Sequence, residues 1–239
     1  MIENLKKLEA LRGAALLANH EPAFVARVKA VKAWQQQRLK RTYPDLAADA
    51  SYGPATAFFM DELYGIKDSA LRDRDLIRMY PTIKRVLPQF AYDAVSKALE
   101  LDVISEEFDQ MLAKKIGDVV ITEINYAAAF RQAGTERDRL RQVELMRAVG
   151  AELDVVVKKP MIYSTLRLLR TPARFAGLSN MQQFLEAGFT AFKHMNGAEY
   201  FLNTIAERET ALIARLYSNH PAPFEFMLAD SNENIKTPH

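Results

Sequence analysis

Cysteine is absent from the 239 residues. That excludes disulfides, thiolate metal sites and thiol nucleophiles, and it suits a reducing compartment. Glycine (9) and proline (10) are sparse, which disfavours many short strands joined by turns and favours long helices with short connections. No apolar run approaches the roughly 20 residues that a membrane helix requires. Among the first twenty residues the only apolar run is Ala14 to Ala18, after Glu3, Lys6, Lys7, Glu9 and Arg12. It is too short for the core of a signal peptide, so the expected location is the cytoplasm and no membrane association is expected. Gly-rich phosphate loops, dinucleotide fingerprints and a Gly-x-Ser-x-Gly elbow are all missing, which argues against the common nucleotide and hydrolase chemistries. Histidine is limited to His20, His194, His220 and His239. A ferritin-like di-iron centre needs a Glu three residues before a His on each of two helices. Those positions hold Leu17, Ala191, Tyr217 and Lys236, so no metal and no cofactor is expected.

What is present reads as helix. Hydrophobic residues make up 49% of the chain and charged residues 26%, a balance suited to an ordinary globular fold. Glu21-Pro22, Gly53-Pro54 and Thr171-Pro172 each place proline where a helix begins. Ser179 with Gln182, and Thr135 with Asp138, have the spacing of capping boxes, and Gly134 has the position of a helix stop. The patterning predicts helices near 3–18, 22–42, 54–64, 69–79, 82–99, 105–133, 136–158, 161–170, 179–194 and 197–217, with Gly117 a possible split. Pro81 and Pro88 are expected to break or kink their surroundings. The β-like runs Val119-Val120-Ile121 and Val155-Val156-Val157 lie inside longer stretches of helical period and are read as helix. The expected fold is all-α: a single-domain bundle of about nine or ten helices over residues 1–217. Residues 218–239 lose the period and read as a C-terminal tail, disordered or docking through Phe224 to Leu228.

Charge is segregated although the net value is only +2. From Pro22 to Tyr43 there are Arg27, Lys29, Lys32, Arg38, Lys40 and Arg41 and no acid. From Val155 to Leu185 there are Lys158, Lys159, Arg167, Arg170 and Arg174, again with no acid, while Glu100, Asp102, Glu106, Glu107 and Asp109 cluster elsewhere. Such blocks mark either an anion-binding face or faces that neutralise one another in the fold.

Two carboxylates fall on apolar stripes. Glu209 lies among Ala198, Phe201, Leu202, Ile205, Leu212, Ile213 and Leu216; in the helix expected around residue 120, Glu123 is likewise flanked by Val119, Val120, Tyr126, Ala127 and Phe130. Glu144 sits less firmly between Leu140, Ala148 and Ala151. A carboxylate turned inward is either part of a proton-handling or ligand-binding centre or half of an internal ion pair. Arg131, Arg147, Arg208 and the Arg72 to Arg78 group are the arginines considered for such pairs.

The most individual stretch is Phe58-Phe59-Met60-Asp61-Glu62-Leu63-Tyr64-Gly65, followed by Arg72-Asp73-Arg74-Asp75 and Arg78. Its apolar residues face two directions, as in a helix packed on several sides. Asp61, Glu62, Tyr64, Arg74 and Arg78 form either a paired surface or a polar cluster able to bind an anion. With the later Phe184-Leu185-Glu186-Ala187-Gly188-Phe189 and Met195-Asn196-Gly197-Ala198 blocks, this stretch resembles an uncharacterised bacterial all-helical family with an FFxxELYG signature. The resemblance spans about residues 20–217 and implies a single helical domain, but it brings no activity and no site residue.

Function is therefore open. The preferred reading is a non-catalytic binding or regulatory protein for an anionic small molecule or a protein partner. The alternative is an enzyme or cofactor-binding protein with a carboxylate-lined pocket inside the bundle, and self-association as a homodimer is a third possibility. Nucleic acid is disfavoured, since only Trp34 and Tyr43 beside Arg38, Lys40 and Arg41 suggest it. The candidate ligand-binding residues are Glu62, Tyr64, Arg74, Arg78, Glu123 and Glu209.

Overall fold

Proline sets several of the helix starts, as its fixed φ and missing N–H allow. In chain order the helices are α1 (Ile2–Leu16), α2 (Pro22–Thr42), α3 (Pro44–Ala48), α4 (Gly53–Phe58), α5 (Gln89–Ile116), α6 (Glu123–Gln132), α7 (Glu136–Val157), α8 (Pro160–Leu168), α9 (Arg170–Phe175), α10 (Ser179–His194) and α11 (Glu199–Tyr217). A π-helical turn, Phe59–Leu63, continues α4. This computed structural model describes residues 1–16, 22–63, 75, 77, 80, 85, 88–168, 170–175 and 177–225, with the side chains of 12–16, 62, 63 and 172 excepted. Among the described residues there is no strand, and the fold is all-α. No helix among them is long and apolar enough to cross a membrane.

The main departure from the expected helices lies at residues 117–122. A continuous helix over 105–133 is not formed. Instead α5 runs unbroken to Ile116 and ends at Gly117, whose φ of 71° is a conformation L side chains rarely adopt. Val119, Val120 and Ile121 are therefore loop rather than helix. Thr122 caps α6: its hydroxyl accepts from the Asn125 N–H at 3.3 Å, and the Asn125 side chain accepts from the Thr122 N–H at 2.8 Å. The Thr135–Asp138 box forms as expected. The Ser179 box does not; Gln182 instead donates to the Leu166 carbonyl at 2.6 Å and to Glu186 at 2.7 Å. Val155, Val156 and Val157 are helical. The expected helix over 69–79 and the N-terminal part of 82–99 fall mostly outside the described residues.

Packing follows the apolar spacing. The long α5 and α7 lie against each other, α11 against α7, and α1 and α2 against α5. One core joins Phe24, Val28 and Val31 of α2 to Leu112, Tyr126, Phe130, Leu212 and Leu216. Phe224, beyond the last helix, is buried in the same core, so the first residues of the expected tail pack on the body. A second core brings the individual motif together: Phe58 packs on Phe184, and Phe59 packs on Phe192 and Phe201. The aromatic pair does face two ways, and its partners come from α10 and from α11.

Candidate functional site

The acid-free helix α2 meets an acid from a different element at each of four positions. Arg27 donates to Asp118 after α5 at 2.7 Å, and Lys32 to Glu106 of α5 at 2.7 Å. Arg38 pairs with Glu209 of α11, and Arg41 reaches Glu123 of α6 at 3.1 Å. Sequence segregation thus becomes pairing in space.

Glu209 faces inward, as its stripe implied, with a side chain only 17% exposed. It accepts from Arg38 and from the Tyr43 hydroxyl at 2.6 Å. Burial alone would depress the Arg38 guanidinium, but the charge of Glu209 and the hydrogen bond to it outweigh that and hold it above its ordinary value. Lower on α2, Lys32 Nζ lies 3.8 Å from Asp109 as well as against Glu106. Burial pushes the Asp109 carboxyl up to about 6; Lys32 opposes the shift and Glu106 adds to it. Gln35 donates to the Tyr126 hydroxyl at 3.2 Å. These inward carboxylates close on cations of the fold.

Glu123 does not face inward. The 117–122 loop removes the helix expected before it, so Glu123 is the first residue of α6, at the helix end, with its side chain 47% exposed against Arg41. Glu144 is likewise exposed. Glu123 and Glu209 are therefore not gathered around one cavity; they sit against successive arginines of α2. Tyr64, Arg74, Arg78 and the side chain of Glu62 lie outside the described residues. Of the arginines considered as partners, the Arg72 to Arg78 group lies outside the described residues and the other three act elsewhere: Arg208 forks onto Asp45 at 2.7 and 2.8 Å, Arg147 donates to Asn203, and Arg131 to the Leu216 carbonyl. Among the described residues no group of three or more His, Asp or Glu is placed to hold a metal ion.

An open cleft of about 590 Å³ lies where α2 passes the start of α6, lined by Trp34, Gln37, Lys40, Arg41, Ile121, Thr122 and Glu123. Its aromatic lining residue is Trp34, whose ring stacks on buried Tyr126 with centroids 3.9 Å apart and meets buried Phe224 edge-on at 5.6 Å. One wall carries Lys40 and Arg41. The other is the 117–122 loop, pinned by the Arg27–Asp118 pair, the Thr122 cap and an Asn125 side-chain bond to the Val120 carbonyl at 2.8 Å. This pinned loop and the first turn of α6 present Val119, Val120 and Ile124 to solvent, the last two more than 80% exposed.

A second groove, about 660 Å³, runs between α4 and α10 beside Phe58, Asp61, Glu186 and His194. Two of its polar groups are engaged separately. Hydrogen bonds from Arg170 and then Gln182 hold the Glu186 carboxyl down at about 2, and exposed His194 meets the Ala50 carbonyl at 3.0 Å.

Sequence reasoning missed Trp34, Gln37, Ile121 and Thr122 as a cleft, and Arg38 and Arg41 as the partners of its two acids. The available signal was the basic helix itself: six cations without an acid on one helix must find their partners on other elements. The sequence model of a family described as a domain of unknown function (DUF8198) matches residues 15–223. No curated protein and no solved structure matches the chain.

Proposed function

The chain belongs to the DUF8198 family, and we propose that it is a non-catalytic docking protein whose cleft between α2 and α6 takes a short segment of a protein partner. The segment that fits pairs one or two large apolar residues with a nearby acid. The apolar residues would lie on Trp34 and Ile121 and against Val120 and Ile124; the acid would meet Lys40 and Arg41.

The single observation that carries this reading is the loop at 117–122. The loop is held by a capping box, an ion pair and a side-chain-to-carbonyl bond, yet it turns Val120 into water next to the cleft-lining Ile121, and the first turn of α6 does the same with Ile124 next to Glu123. Exposed apolar surface next to a polar rim is the usual composition of a binding patch. The charges around it favour the same kind of segment. Arg41 shares its charge with Glu123, whereas Lys40 has no ion pair among the described residues. Catalysis by the inward acids finds less support, because Glu209 and Glu106 are closed on Arg38 and Lys32 rather than aimed into either cleft.

The test is selection of displayed peptides on the full-length chain, followed by binding of the winners to a Val120→Asp/Lys40→Glu variant. Both positions are exposed, so the variant should keep the melting temperature of the parent. The expected result is enrichment of segments joining large apolar residues to Asp or Glu, with affinity falling at least tenfold in the variant. Failure to enrich any family, or equal binding to both chains, would remove the proposal.

A further inference from the structure

A second surface, sharing no residue with the α2–α6 cleft, carries its own chemistry. Helix α8 has no fully buried residue, and its period divides it into two faces. Ile162, Tyr163 and Leu166 are half-buried against the second core, where Tyr163 stacks on Phe189 at 5.3 Å. Met161, Ser164, Thr165 and Leu168 share the opposite face, on which Met161 and Leu168 are 77% and 78% exposed. In α9, Ala173 is buried and Phe175, about 200° further round the helix, is 87% exposed. The backbone beneath these side chains is fastened to α10 and the residue before it. Gln182 donates to the Leu166 carbonyl at 2.6 Å, Arg170 forks onto Glu186, and the Leu178 N–H donates to the Ala173 carbonyl at 2.7 Å.

The charge around this face is of one sign. Lys158 and Lys159 precede α8, Arg167 lies within it, Arg170 and Arg174 follow Leu168, and no acid occurs from Val155 to Leu185. Asp154 takes up Lys158 at 2.6 Å and Glu186 takes up Arg170, so five cations meet two acids and a surplus of three remains. Lys159 and Arg174 have no ion pair among the described residues. We infer that this face docks on an anionic lipid surface, with Met161, Leu168 and Phe175 entering the acyl boundary and the cations resting among the headgroups. Charge complementarity names the occupant: the surplus cations match a negative headgroup layer, and the apolar side chains between them match the layer beneath it. Nucleic acid would satisfy the charge but not Met161 and Leu168, which cannot stack on bases. Side chains that project this far also need no matching hollow in a lipid, whereas a protein partner would have to supply one. The expectation of no membrane association rested on the lack of a spanning segment, and lying on a leaflet requires entry of only about 5–10 Å. Each cation held near such a leaflet contributes about fivefold in affinity.

The experiment is sedimentation of the full-length chain with vesicles of phosphatidylcholine, alone or with about one third phosphatidylserine, at about 0.1 M and 0.5 M salt. The expected result is binding to the anionic vesicles that falls at least tenfold at the higher salt, and none to the neutral ones. Leu168→Asp/Phe175→Asp and Lys159→Glu/Arg174→Glu should each lower it at least tenfold at the lower salt. Both should keep the parent melting temperature, since all four positions are exposed. A Phe175→Trp chain should bind as the parent does and be quenched by brominated acyl chains. The parent, whose one tryptophan is Trp34 against the other core, should not be quenched. Absence of binding to the anionic vesicles overturns the inference, as does equal binding to the neutral ones. Undiminished binding by the Leu168→Asp/Phe175→Asp variant, or an unquenched Phe175→Trp chain, reduces the contact to adsorption by charge and also overturns it. A parent that binds no vesicle but self-associates in light scattering, where the variants do not, would assign the face to a second copy instead.

Discussion

Two glutamates that look alike in the sequence end in different surroundings, and their energetics should differ accordingly. Glu209 accepts from both Arg38 and Tyr43 with its side chain 17% exposed, whereas the Glu123–Arg41 pair is about half exposed on each side. Removing one partner of a shielded pair leaves the other charge without compensation, at a cost of about 3 kcal/mol. A half-exposed pair contributes about 0–1 kcal/mol. Urea unfolding should therefore show Glu209→Ala losing about 3 kcal/mol and Glu123→Ala less than about 1. Arg38→Met combined with Glu209→Leu should recover most of the loss, because no stranded charge remains. Equal costs for the two single variants would mean that shielding does not set the difference. The inward position of Glu209 was legible because α11 keeps one helical phase from Glu199 to Tyr217. The outward position of Glu123 was not, because its apparent stripe borrows Val119 and Val120 from the 117–122 loop, which has no helical phase.

At the scale of elements, the crossing of α7 and α11 depends on a residue with no side chain. Gly150 is buried in α7 where α11 crosses it, and a Cβ there would lie 2.3 Å from Leu202 Cδ2 and 3.0 Å from Cδ1. Leu202 is itself 3% exposed and has little room to turn away. Alanine in a helix gains up to about 1 kcal/mol over glycine, while overpacking a core costs about 1–3 kcal/mol. The second effect wins: Gly150→Ala should lower stability by about 1–2 kcal/mol, read as a fall in melting temperature. A rise would show that α7 and α11 separate freely. This approach was not legible in the sequence, where Gly150 reads only as a weak point in a helical pattern. Proline starts and the Thr135 cap were legible because they act within one turn. The Thr122 cap is hidden in the sequence because the valines before it continue an apparent helical period. The unbroken α5 was missed between 99 and 105, although no Gly or Pro interrupts that span. Both clefts are made by elements distant in sequence, and local periodicity carries no information about which helices meet.

For the molecule as a whole, the carboxyls shifted by pairing or burial, of which Asp109 alone faces a cation of α2, predict how stability responds to pH. Most of the shifted carboxyls are depressed: Arg208 holds Asp45 low, Thr135 holds Asp138 low, and Arg170 with Gln182 takes Glu186 to about 2. Their stabilisation is present above the ordinary carboxylate range and is lost as pH falls below about 4. Asp109 works in the opposite sense. Its side chain, 14% exposed, faces Lys32, Glu106, Gln35 and Arg139, and burial raises it to about 6 from an ordinary 3.8. The folded protein therefore binds more protons than the unfolded chain between those values, and the Asp109 contribution falls as pH rises through that window. A shift of that size corresponds to about 3 kcal/mol across the window. Asp109→Asn should remove this slope, matching the parent near pH 4 and exceeding it by about 2 kcal/mol at pH 7.5. Urea unfolding of both chains from pH 4 to 7.5 checks the sign directly. A parent that gains on the variant as pH rises would mean that Lys32 stabilises the Asp109 carboxylate more than burial opposes it, and that the α2–α5 seam is an ion-pair network throughout.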